Sequence, residues 1–96
     1  MSAYFAAQIT IKDPETYEKY LEGYDEIFSK YKGKVIAVDD HPMVLEGSWS
    51  YTRFVLIRFP DEAELKRWYE SPEYQQLAQY RRAASSGDIL IVKGRE

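Results

Sequence analysis

"WYESPEYQQL", residues 68–77, interrupts a stretch that otherwise reads as a single long helix. At about 100° per residue, Leu65, Trp68 and Tyr69 fall on one side of such a rod. Tyr74, Leu77, Ala78 and Arg81 fall about half a turn away. One straight helix cannot bury both stripes against one sheet. Ser71-Pro72 resolves the conflict. The proline pushes Ser71 out of helical conformation, Ser71 can cap a new helix, and Pro72 suits its first position. The spacing therefore predicts two short helices, over 61–70 and 72–83, with a break that resets the phase so that both face the core.

The elements on either side follow from period and punctuation. Residues 4–11, "YFAAQITI", alternate with Phe5, Ala7, Ile9 and Ile11 on one face, which predicts a strand. "DPETY" then opens a helix: Asp13 can cap, Pro14 suits the first turn and Glu15 complements the dipole. Tyr17, Tyr20, Leu21, Tyr24, Ile27, Phe28 and Tyr31 carry helical spacing up to Gly33, read as the stop. "KVIAV" (34–38) is a strand and "DDHP" (39–42) a turn. "MVLEGSW" (43–49) reads as extended, and "YTRFVLIRF" (51–59) is the clearest strand. Asp61 with Glu64 forms a capping-box pattern, and "DILIV" (88–92) is the last strand. The order β-α-β-β-α-β predicts an α+β, ferredoxin-like fold with an antiparallel sheet, in one domain over 1–96.

The strands also predict an assembly. In "RFVLIRF" Phe54 and Leu56 oppose Val55, Ile57 and Phe59; in "DILIV" Ile89 and Ile91 oppose Leu90 and Val92. A sheet wetted on one side should alternate apolar with polar. Helices cover only one face, so the other apolar face calls for a partner, most economically a second copy by two-fold symmetry. A homodimer through sheet faces is the expectation.

Composition excludes several functions. The chain has no cysteine, hence no disulfide, thiolate metal site or cysteine nucleophile, as suits a cytoplasmic location. No apolar run is long enough to span a membrane, and no basic stretch precedes the opening "MSAYFAAQI" as in a secretory signal. Net charge is −3, and the basic residues form no patch beyond pairs such as Arg81-Arg82, so nucleic acid is not an expected partner. Nine tyrosines are many, and tyrosine suits interfaces and polar-lined clefts.

Candidate site residues are few. His41 is the only histidine and, with Asp39 and Asp40, lies in a turn where side chains diverge; no metal site is expected. Glu46, between Leu45 and Gly47 and near Trp49, is a candidate acid or base, with His41 a second proton carrier. The plainer reading of Glu46 is an edge-strand charge that discourages aggregation. Arg81 shares a stripe with Tyr74, Leu77 and Ala78. There it either snorkels to water or reaches into a cleft and holds an anion through paired hydrogen bonds. Trp68, Tyr69 and Tyr74 flank the break, either as core or as walls of a ligand pocket.

"WYESPEYQQLAQYRRAASSGDILIVKG" resembles the C-terminal half of the family of domain of unknown function 1330. "DPETYEKY", "YKGKVIAV" and "VLEGSW" before "RFVLIRFPD" carry the likeness over about residues 3–94. The resemblance implies a dimeric α/β barrel, in which ferredoxin-like subunits pair through their sheets. The wider superfamily includes cofactor-free oxygenases, isomerases of small ring compounds, haem-binding enzymes and ligand-sensing modules. Haem-binding members use an axial histidine; His41 falls in a predicted turn, so no cofactor is expected. Two functions follow by analogy. One is a cofactor-independent enzyme or binder that takes a small anionic or aromatic compound between sheet and helices. The other is a non-catalytic dimerisation or sensing module.

Overall fold

A computed structural model of the chain describes all of residues 1–96. The elements are β1 (Ala3–Ile11), α1 (Pro14–Phe28), β2 (Lys34–Asp39), β3 (Arg53–Phe59), α2 (Glu62–Tyr69), α3 (Pro72–Ala84) and β4 (Ser85–Lys93). The four strands form one antiparallel sheet in the order β2-β3-β1-β4, the ferredoxin-like arrangement. The Cα trace is only 16 Å thick, one layer of helices on one sheet. No helix is long and apolar enough to cross a membrane.

The break in the second helical region is where the sequence places it. Ser71 is extended, with φ −63° and ψ 142°, and both helices are tied to its side chain. Its hydroxyl donates to the Trp68 carbonyl at 2.8 Å and accepts from the Tyr74 N–H at 3.1 Å. The first bond satisfies a carbonyl at the end of α2 and the second an N–H at the start of α3, a cap worth about 1 kcal/mol. The Gln75 side chain donates to the Tyr69 carbonyl at 2.6 Å and satisfies another orphan acceptor. With the phase reset, α2 buries Leu65 and Trp68, and α3 buries Tyr74, Leu77, Ala78, Arg81 and Ala84.

Three boundaries differ from the expectation. Helix α1 ends at Phe28, so Tyr31 lies beyond it. Gly33 serves as a close approach rather than a helix stop: a Cβ there would sit 2.6 Å from the Phe28 ring and 2.7 Å from that of Phe59. Residues 43–49 form no strand. Gly47 takes a positive φ of 86°, and the segment folds back so that the Trp49 indole donates to Gln8 at 3.1 Å. Strand β4 begins at Ser85, directly after α3, because Ser85-Ser86-Gly87 pairs with Ile9-Thr10-Ile11.

The core lies between the helices and one sheet face. Phe5, Ala7 and Ile9 of β1 meet Ile57 and Phe59 of β3 beneath Trp68 and Tyr74. The Trp68 ring stacks on Phe59 at 5.4 Å, stands edge-on to Phe5 at 5.2 Å and to Phe28 at 5.6 Å, and lies 4.3 Å from Tyr74. The other sheet face presents Ala6, Phe54, Leu56, Leu90 and Val92, and Leu90 is 52% exposed. That apolar face has no helix over it, as the two-faced strands predict.

Candidate functional site

The helices do not cover the sheet evenly. Strand β2 is an edge strand and is largely exposed along its length. A cleft opens where it projects past α1, with Leu21, Val35 and Val38 at the partly exposed rim. The floor is Phe5, Ala7 and Ile9 of β1 with Val55 and Ile57 of β3. Tyr17, Tyr20 and Tyr24 of α1 form the roof, and Arg53 and Arg81 are the only charged lining residues. The enclosed volume is about 100 Å³. An apolar cavity of roughly 150 Å³ holds a benzene ring, so this smaller space takes a short chain or part of a ring, with the rest of a ligand in the cleft's open mouth.

The two arginines differ in state. The Arg53 guanidinium is half-buried, lies over the Tyr17 ring at 5.5 Å, and holds Asp40 through two parallel bonds. Its Nε donates to Oδ1 at 2.7 Å and its Nη2 to Oδ2 at 3.1 Å. That pair holds the Asp40 carboxyl below its usual range. Arg81 is only 7% exposed, and its Nε and Nη2 are buried with no hydrogen-bond partner. No carboxylate pairs with it. Burial pulls its guanidinium down, but the oxygens of Tyr74 and Tyr20 outweigh burial and keep it charged. Its guanidinium lies 6.0 Å from the Tyr20 ring.

Tyrosine hydroxyls surround this charge. Those of Tyr20 and Tyr74 share one hydrogen bond of 2.7 Å, and the Tyr24 hydroxyl is buried with no partner. Burial first, then neighbouring tyrosine oxygens, pushes the phenols of Tyr20 and Tyr24 well above the ordinary value. Burial raises Tyr74 too. All three therefore keep their protons at neutral pH, and in the Tyr20–Tyr74 bond one hydroxyl donates while the other accepts. No carboxylate and no imidazole lines the cleft.

The residues singled out from the sequence are distributed as follows. Arg81 lines the cleft. Tyr74 is fully buried and reaches it only through its hydroxyl bond to Tyr20. Trp68 is fully buried at the centre of the aromatic core. Tyr69 is half-buried and lines a separate hollow with Leu65, Ile89 and Ile91. Burial raises its phenol, but the adjacent Arg82 and Arg81 guanidiniums outweigh that and leave it below the ordinary value. His41 is exposed in its turn, its backbone N–H bonded to the Asp39 carboxylate at 2.8 Å. Glu46 is exposed in a shallow hollow with Met43, Trp49 and Phe54, on the sheet face opposite Arg81. The structure thus brings together Arg81 and the Tyr20–Tyr74 pair, and sets Glu46 and His41 apart from them. Reasoning from sequence did not single out Tyr17, Tyr20, Tyr24 and Arg53. The signal was that the buried stripe of α1 is built from tyrosines where leucines would fill a core.

The profile of the family described as Domain of unknown function (DUF1330) matches residues 2–95. The chain belongs to this family. No curated protein matches it. Among solved structures, a protein of unknown function from Rhodopseudomonas palustris is similar at TM-score 0.82 and 16% identity, over 99% of this chain and 83% of that one. The cofactor-independent oxygenase SnoaB from Streptomyces nogalater is similar at TM-score 0.67 and 18% identity, over 99% and 94%. A dimeric protein of unknown function and ferredoxin-like fold from Bacteroides fragilis is similar at TM-score 0.67 and 12% identity, over 97% and 96%. At such identities the likeness carries the ferredoxin-like fold alone.

Proposed function

We propose that this member of the DUF1330 family is a homodimer that binds a small monocarboxylate with an apolar body in the cleft between α1, α3 and the sheet. The observation that carries this reading is Arg81: a charged, nearly buried residue in the wall of an apolar cavity, two of whose N–H donors have no partner within the fold. The Tyr74 and Tyr20 oxygens offset the burial of its charge, but two buried N–H donors without hydrogen-bond partners remain unfavourable, and a bound anion relieves them. Nε and Nη2 form the side edge of the guanidinium, the same edge with which Arg53 grips the Asp40 carboxylate. A planar two-oxygen anion fits that edge. Arg53 is already neutralised, so the cleft offers one net positive charge and calls for one negative charge.

The lining favours binding over acid–base catalysis, because no side chain in it takes up a proton readily at neutral pH. That observation supports the ligand-sensing reading. A proton carrier from elsewhere, with Glu46 and His41 as candidates, would have to approach the cleft for a reaction. The absence of cysteine suits a cytoplasmic site of action.

Calorimetric titration with benzoate tests the anion site. Saturable binding is expected, weakened at least about tenfold in Arg81→Met, since a hydrogen bond to a charged group contributes about 1.5–3 kcal/mol. Equal affinity in the two proteins would remove Arg81 from the site.

The dimer rests on the uncovered apolar sheet face and on the dimeric state of the Bacteroides fragilis relative. Leu90 is half-exposed in a lone chain, so Leu90→Glu is tolerated there and places a charge in the middle of a sheet-to-sheet contact. The expected result is a dimer for the parent and a monomer for the variant in sedimentation equilibrium. A parent that sediments as a monomer would rule out the dimer.

A further inference from the structure

We infer that Asp40 sets the charge selectivity of the cleft: by holding Arg53 it denies a second carboxylate its partner, so the site favours monoanions over short dianions. The inference rests on the carboxylate reading of Arg81. Its own evidence is the ion pair at the edge of the cleft.

The side chain of Arg53 runs from the floor of the cleft to its roof. Arg53 pairs with Ile9 in the β1–β3 register and lies two residues before Val55, and both Ile9 and Val55 belong to the floor. Strand alternation puts Arg53 on that same face. Its guanidinium lies over the ring of Tyr17, a roof residue, at 5.5 Å. From there Nε and Nη2 reach Asp40, just past the end of β2, at 2.7 and 3.1 Å. The Asp40 side chain is 53% exposed and that of Arg53 only 20%, so Asp40 meets the cation on its solvent side. Burial raises the Tyr17 phenol, and both Arg53 and Arg81 oppose that rise, so the two cations act on one roof residue.

Two free guanidiniums lining one cleft would suit a dicarboxylate, with one end on each. Asp40 removes that option. A second carboxylate brought to Arg53 meets Asp40 already in place, and the two anions repel. Held away from Arg53 inside the cleft, it meets apolar side chains and tyrosine rings. Either penalty falls on the dianion alone, which is how a site discriminates against a ligand that differs by one charge.

Matched pairs of acids test this: butyrate with succinate, pentanoate with glutarate, hexanoate with adipate. The members of each pair share a chain length and differ in the second carboxylate. Each acid is titrated calorimetrically into the full chain, into Asp40→Asn, into Asp40→Asn combined with Arg53→Met, and into Arg81→Met. Asparagine keeps the shape of an exposed turn residue and removes only its charge. The parent should bind the monoacids more tightly than the diacids. In Asp40→Asn the affinity of at least one diacid relative to its monoacid should rise about tenfold or more, as expected for a carboxylate gaining a charged hydrogen-bond partner. The added Arg53→Met should abolish that rise. If monoacid binding depends on Arg81 but diacids bind the parent equally well, or the ratio does not rise in Asp40→Asn, or the rise survives Arg53→Met, the role of Asp40 is wrong and the carboxylate reading stands. If no monoacid binds, or all bind Arg81→Met equally well, both are wrong.

Discussion

Truncating Trp68 to alanine is expected to destabilise the chain by about 3–5 kcal/mol, the range for emptying a large aromatic site in a core. The side chain is fully buried and is the hub of the aromatic core, in contact with Phe5, Phe28, Phe59 and Tyr74 from four different elements. These rings belong to β1, α1, β3 and α3, so they cannot close together over the space left behind without shifting several elements at once. A domain of this size has about 5–14 kcal/mol in total at 0.05–0.15 kcal/mol per residue, so the variant retains little margin. Urea denaturation followed by far-ultraviolet circular dichroism reads the loss as a lower midpoint at unchanged slope. A loss under about 1 kcal/mol would mean that Trp68 is not a packing residue and would reopen its role as a ligand wall.

Trp68 also indicates how far the sequence could be read. Its helical spacing with Leu65, and the phase conflict with Tyr74, were enough to place the break at Ser71-Pro72 and to turn both helices inward. The apolar second face of β3 and β4 was legible too, because strand alternation is strictly local. Period does not report how far one layer extends over another. The cleft exists because β2 projects beyond α1, and nothing in "KVIAV" signals that. The Arg53–Asp40 clamp was hidden for the same reason: it closes the ends of a loop whose path depends on Gly47 and on Trp49 reaching Gln8. Glu46 looked like a strand residue only because "MVLEGSW" has strand composition. Without a neighbouring strand to pair with, that composition forms a loop. Arg81 was legible as an anomaly, a charge on an apolar stripe, but not as an unpartnered one, since partners come from the fold.

That anomaly leads to a signed expectation: Arg81→Met should make the protein more stable, by about 1–3 kcal/mol, while weakening carboxylate binding. Two N–H donors buried without partners each carry a desolvation penalty of about 1–3 kcal/mol, and methionine removes both while filling similar space. Against this stand the loss of the guanidinium's attraction to the Tyr20 ring, worth about 0.5–1 kcal/mol at 6.0 Å, and of its attraction to the Tyr20 and Tyr74 oxygens, which together bring the net gain down to about 1–3 kcal/mol. The balance favours methionine. In urea the midpoint should rise by roughly 0.5–1.5 M for a slope of about 2 kcal/mol/M. Benzoate should then protect the parent more than the variant, because a ligand bound only by the folded state adds stability in proportion to its affinity. Protection of the parent but not the variant is what a site kept at the expense of stability would display. If the substitution destabilises instead, Arg81 is satisfied within the fold, a structural cation among tyrosines, and the cleft has no need of an anion.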